Sequence, residues 1–107
     1  MKDYMIRFSP ASRADMEAVW DSVYDASLDY DTADRYVMAF TDLIIEKKKA
    51  PKTGIPLCYR GLFTGYYSVN YKAYKAFYRI KDDTVEVLRI LLSKSDYMKV
   101  LFGEENL

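Results

Sequence analysis

A chain of 107 residues, half of them apolar and 16% aromatic, has the size for a single domain over 1–107 with one core and no room for a second. It holds no histidine and one cysteine, Cys58, which excludes Ser-His-Asp and Cys-His nucleophile systems, His-containing zinc sites and an intramolecular disulfide. No run approaches the roughly 18–20 apolar residues of a membrane-spanning helix, and Met1-Lys2-Asp3-Tyr4 leads into no apolar signal segment, so no membrane contact and a cytoplasmic location are expected.

The net charge of zero conceals a segregation. Residues 1–46 carry four Lys/Arg against ten Asp/Glu, a net of −6, whereas residues 47–99 carry twelve against four, a net of +8; Glu104 and Glu105 supply the remaining −2. An acidic half is followed by a basic one.

In chain order, Tyr4-Met5-Ile6-Arg7-Phe8 reads as a short strand that stops at Ser9-Pro10, where Ser caps a helix and Pro fills its first position. From Pro10 to about Leu28, Met16, Val19, Trp20, Val23 and Tyr24 recur at helical spacing, with Glu17, Asp21 and Asp25 on another face. Trp20 reads as core. After Leu28-Asp29-Tyr30-Asp31, with Asp31 or Thr32 as the cap, a second helix places Ala33, Tyr36, Val37, Phe40, Leu43 and Ile44 on one stripe. Lys47-Lys48-Lys49 complements that helix's C-terminal dipole, and Pro51, Gly54 and Pro56 make a loop.

Four β-prone runs follow: Leu57–Arg60, Gly65–Val69, Tyr74–Ile80 and Thr84–Leu92. Antiparallel hairpins are expected there, then a short helix over Asp96–Phe102 and a frayed tail over 103–107. The order β-α-α-β-β-β predicts an α+β fold: a small curved antiparallel sheet with the N-terminal helical hairpin on one face and an open face as the candidate site.

In the basic half, Tyr59, Tyr66, Tyr67, Tyr71, Tyr74 and Tyr78 interleave with Arg60, Lys72, Lys75 and Arg79, a mixture able to stack on bases, contact phosphates or anchor a protein. The plainer reading is that each ring fills the core edge while the cations solvate the outer face. Lys47–Lys49 with Lys52 reads as a solvated helix end. Glu17, Asp21 and Asp25 read as an exposed acidic stripe, so no metal or other cofactor is expected. Cys58 reads as a small buried hydrophobe.

The strand ending in Phe8-Ser9-Pro10, the helical hairpin, Pro51–Pro56, Tyr59-Arg60, the run Tyr74 to Asp83, and Val87-Leu88-Arg89-Ile90-Leu91 followed by Lys94-Ser95-Asp96-Tyr97 together resemble the RelE/ParE family. These are toxins of bacterial type II toxin–antitoxin modules, the plasmid-stabilisation or addiction modules. The resemblance spans nearly the whole chain. It implies a small curved antiparallel sheet with two N-terminal helices, and a cognate antitoxin that wraps the toxin. A homo-oligomer within the toxin–antitoxin complex is compatible with it.

The resemblance leaves two targets: ribosome-bound mRNA, cut by RelE-like members, and DNA gyrase, inhibited by ParE-like ones. For RelE-like chemistry it implies Lys75 at the strand position of a catalytic Arg, Arg60 and Arg79 as further cations, and Tyr97 as the available hydroxyl. The Ser93-Lys94-Ser95-Asp96 loop lacks the expected Arg, and Leu101-Phe102 stand near the place of the distal Tyr. Attack by a 2′-OH needs a base, stabilising cations and an acid, and only the cations are plainly present. The expectation is therefore a ParE-like toxin that binds a protein, with RelE-like cleavage as the alternative and a non-toxic partner-binding member as a third reading. The binding candidates are Tyr59, Arg60, Tyr74, Lys75, Tyr78, Arg79 and Lys94. Convergence of Arg60, Lys75, Arg79 and Lys94 in one concavity would favour RNA; their dispersal would favour protein contact.

Overall fold

The computed structural model describes residues 3–103, with β1 (Met5–Phe8), α1 (Pro10–Ser27), α2 (Tyr30–Ile45), β2 (Ile55–Tyr59), β3 (Leu62–Tyr71), β4 (Tyr74–Lys81), β5 (Thr84–Leu92) and α3 (Tyr97–Phe102). Of the tail expected to fray, residues 104–107 lie outside the described residues. The α+β architecture is the expected one, with the helical hairpin after the first strand, and four strands follow the hairpin where the order β-α-α-β-β-β counted three.

Ser9 ends β1 and starts α1 with one side chain: its Oγ accepts the Ser12 N–H at 3.0 Å and donates to the Leu88 carbonyl at 2.8 Å. The cap thereby also ties the helix start to β5. Leu28, in the left-handed region, closes α1 through its N–H to Tyr24 O. The second helix is capped by Asp29, earlier than the expected Asp31 or Thr32. The Asp29 carboxylate accepts both the Asp31 N–H and the Thr32 hydroxyl, drawing the helix start back to Tyr30.

The sheet order is β1-β5-β4-β3-β2. The last four strands form antiparallel hairpins as expected, and β1 joins in parallel beside the first half of β5. β2 begins at Ile55 and tolerates Pro56 because it is an edge strand, where a missing N–H breaks no ladder bond. β3 is longer than the expected Gly65–Val69. Between the Leu57↔Tyr66 and Cys58↔Phe63 pairs it carries an irregularity in which Gly65 takes φ +90°, a conformation costly for residues with a Cβ.

Both helices cover one face of the sheet. The core there is Val19, Phe40, Ile44, Val69, Ala76, Tyr78, Val85, Val87 and Ile90. Phe40, on the predicted α2 stripe, is wholly buried, and truncating such a ring to Ala costs about 3–5 kcal/mol. Beyond the end of β1, the outer edge of β5 has no strand partner, and α1 substitutes for one. Asp15 accepts the Ile90 backbone N–H at 2.8 Å and takes the Arg89 guanidinium as a fork at 2.8 and 3.1 Å.

Two core assignments are corrected. Trp20 is only half-buried: its Nε1 donates to Asp34 at 2.8 Å and its ring stacks on Tyr24, because it borders the open groove between the two helices and does not point into the core. Cys58 is exposed, since its strand is the sheet edge and no element covers it.

Candidate functional site

Strand alternation puts Tyr74, Ala76 and Tyr78 of β4 on the helix-covered face and Lys75, Phe77 and Arg79 on the other. The other face is the expected open one, but it is partly roofed. α3 folds back over it, setting Tyr97 against Phe77 with ring centroids 5.1 Å apart and Phe102 against Tyr66 at 5.2 Å. Phe77 is consequently fully buried although it points away from the main core.

One row crosses this face on all five strands: Arg7, Glu86, Arg79, Tyr66 and Leu57, each paired with the next in register. Glu86 sits between the two cations with its side chain only 9% exposed. It accepts from Arg7 Nη2 and, at 2.8 Å, from Arg79 Nε. The hydrogen bond from Arg79, aided by the charges of Arg79 and Arg7, holds the Glu86 carboxyl below the ordinary carboxylate range; the same bond lifts the Arg79 guanidinium. Arg79, although partly exposed, is thus paired within the fold.

The remaining candidates scatter. Lys75, half-buried, donates to Asn70 Oδ1 at 2.7 Å and is separated from Arg79 by Phe77. Arg60 and Gly61 form the two-residue β2–β3 turn, both at positive φ, and the Arg60 guanidinium lies 5.2 Å from the centroid of the Tyr59 ring. Lys94 is exposed in the turn after β5, where Ser93 N–H donates to Ala73 O at 2.8 Å beside the β3–β4 turn. Arg60 and Lys94 therefore lie at opposite ends of β3, a ten-residue strand that spans roughly 30 Å.

The tyrosines divide the same way. Tyr78 is wholly buried and donates its hydroxyl to Pro51 O; burial pushes it up to about 12. Tyr74 lies on the helix side, its ring among those of Tyr36 and Phe40. Neither faces the surface that carries the cations. Tyr97, the hydroxyl candidate, is half-buried against Phe77. Arg7 was not among the candidates, although it completes the row. The signal for it was slight: alternation in a four-residue strand whose parallel neighbour no local pattern announces. Among the described residues, no group of three or more Cys, Asp or Glu is placed to hold a metal ion, and no helix is long and apolar enough to cross a membrane.

With this geometry in view, residues 6–97 match the family model described as the ParE toxin of type II toxin–antitoxin system, parDE. Among solved structures, the chain is similar to the chromosomal ParDE system of P. aeruginosa at 16% identity and a TM-score of 0.70, covering 83% of this chain and 95% of that one. It is similar to the RelBE2 toxin–antitoxin complex of Mycobacterium tuberculosis at 23% identity and a TM-score of 0.61, covering 85% and 99%. It is also similar to the YoeB/ParE toxin of Agrobacterium tumefaciens at 24% identity and a TM-score of 0.56, covering 82% and 96%. Among curated proteins, none matches significantly in sequence.

Proposed function

This chain belongs to the ParE toxin family of type II toxin–antitoxin systems, and from that premise we propose that it arrests growth by binding DNA gyrase in the cytoplasm, until a cognate antitoxin covers it. The observation that carries this reading is the dispersal of Arg60, Lys75, Arg79 and Lys94, the four cations expected to converge for RNA. Arg60 and Lys94 are separated by the length of β3, Lys75 is turned to Asn70, and Arg79 is paired with Glu86. A phosphorane-like transition state needs several cations within hydrogen-bond reach of one phosphate, with a base and an acid beside them. Four cations spread along a sheet suit distributed contact with a protein better than catalysis at one point.

The antitoxin belongs to the same reading. A family defined by paired toxins and antitoxins supports a cognate partner, and the ParDE and RelBE2 relatives are themselves toxin–antitoxin systems.

Ribosome-bound mRNA incubated with the purified chain tests this against the nuclease alternative. The expected result is intact message. Cutting in the ribosomal A site, lost on Lys75→Ala or Arg79→Ala, would replace the binding reading with RelE-like cleavage. Induced expression that leaves cells dividing normally, with tight antitoxin binding retained, would instead mark a non-toxic partner-binding member.

A further inference from the structure

The β2 edge of the sheet is nearly free of charge. From Thr53 to Tyr71, the stretch that makes β2, its turn and β3, Arg60 is the sole charged residue in a chain that is 30% charged. Exposed edge strands are ordinarily blunted by charges, since their unpaired N–H and C=O groups would otherwise recruit another strand. Here the surface is apolar instead: Ile55 is 51% exposed, Leu62 74% and Phe63 51%. The polar groups of the edge are equally defined. Leu57 turns its carbonyl inward to accept from Thr64 Oγ1 at 2.6 Å, so Pro56 and Cys58 face outward and together offer the Cys58 N–H and two carbonyls. Ile55, Leu57 and Tyr59 share the open face of the sheet with Tyr66.

We propose that this edge receives the same edge of a second copy of the chain, antiparallel across a two-fold axis at Leu57. In that register Cys58 lies opposite Pro56 of the second copy, and each Cys58 N–H donates to the Pro56 carbonyl across the axis. Neither bond calls on the N–H that proline lacks. On the open face Leu57 meets its own copy, and Ile55 meets Tyr59 on both sides of the axis, an aromatic–β-branched pair. A shift that puts Cys58 on the axis sets Ile55 opposite Gly61 and leaves it exposed; a shift that puts Pro56 there sets two prolines face to face with no donor between them. Arg60 falls opposite Gly54, so no like charges are opposed. This self-complementarity singles out a second copy over another extended chain, and the contact joins two five-stranded sheets into one. A five-residue edge is about 17 Å long, short for the ~800 Å² per partner of a standard interface, so the dimer is expected to dissociate at micromolar concentrations. It is independent of the choice between gyrase and mRNA as target.

The test is the oligomeric state of the purified whole chain, by sedimentation velocity over about 1–100 µM. The expected result is a concentration-dependent monomer–dimer equilibrium. Leu57→Lys, which opposes two ammonium groups at the axis, is expected to weaken it at least about tenfold, with a melting curve that shows the fold intact. Leu57→Cys in a Cys58→Ser background is expected to give a disulfide-linked dimer when diamide takes up the two thiol hydrogens, because Cα atoms about 4.5 Å apart at the axis suit that bond. Cys58→Ser alone is expected to give none. Should Leu57→Lys fail to fold, the thiol trap decides alone. A chain that stays monomeric throughout the range overturns the proposal. So does a dimer that a folded Leu57→Lys variant leaves unchanged, or one that the thiol trap does not capture. Loss of antitoxin affinity in a folded Leu57→Lys variant, with no dimer formed by the unsubstituted chain, would overturn it in favour of an antitoxin strand at this edge.

Discussion

Glu86 Oε1 lies 2.8 Å from Arg79 Nε, so a cation singled out as a binding and catalytic candidate is held by a buried carboxylate across the β4–β5 ladder. The pair has a pH consequence. Glu86 is depressed in the folded state chiefly by the Arg79 hydrogen bond, so its contribution is complete above the ordinary carboxyl value near 4.5 and is lost as pH falls through the lowered one. Acid melts should show a stability loss in that window that Glu86→Gln reduces. At neutral pH the same variant should cost about 1 kcal/mol, at the low end for a charged hydrogen bond because both guanidinia are partly in water.

Gly54 is required by Tyr78. A Cβ at Gly54 would stand 2.1 Å from the Tyr78 hydroxyl and 3.1 Å from Tyr67 Cβ, with the hydroxyl already held by Pro51 O. Gly54→Ala should therefore destabilise the chain by roughly 1–3 kcal/mol in chemical denaturation, through overpacking and not through backbone conformation.

Tyr78→Phe should remove one hydrogen bond, about 1 kcal/mol, and leave gyrase and antitoxin binding unchanged. Its titration supplies a second measurement. With the folded value raised by burial from 10.0 to about 12, the stabilisation is full below pH 10 and lost as pH rises through about 12. Ultraviolet titration should show a tyrosine ionising near 12 that is absent from the variant, while Tyr36, also raised by burial, keeps its own late ionisation.

Asp15→Ala should cost about 1–3 kcal/mol, because it strands the Ile90 N–H at the edge of β5 and leaves Arg89 without its fork. Loss of hydrogen-exchange protection should concentrate at Ile90 and along α1.

Much of the fold was legible because local signals were strong. Ser9-Pro10 marked a helix start, the α2 stripe from Ala33 to Ile44 marked a buried face, and Thr84–Leu92 read as a strand with the bounds it has. The site was less legible because it depends on long-range register. Phe77 and Tyr78 are adjacent and point to opposite faces, yet both are wholly buried, since α3 roofs the second face. Alternation alone assigned an open side to that sheet. Arg7 acquired its meaning only from the parallel pairing with Glu86, a residue 79 positions away. The exposure of Cys58 likewise follows from β2 being an edge, a property of strand order and not of its own neighbours in sequence.

The central claim is binding to gyrase without RNA chemistry, and the supercoiling of relaxed plasmid by purified DNA gyrase in the presence of the purified chain tests it most directly. The account predicts dose-dependent inhibition that added antitoxin reverses. Full supercoiling activity at every toxin concentration, together with cleavage of ribosome-bound mRNA by the same preparation, would contradict it.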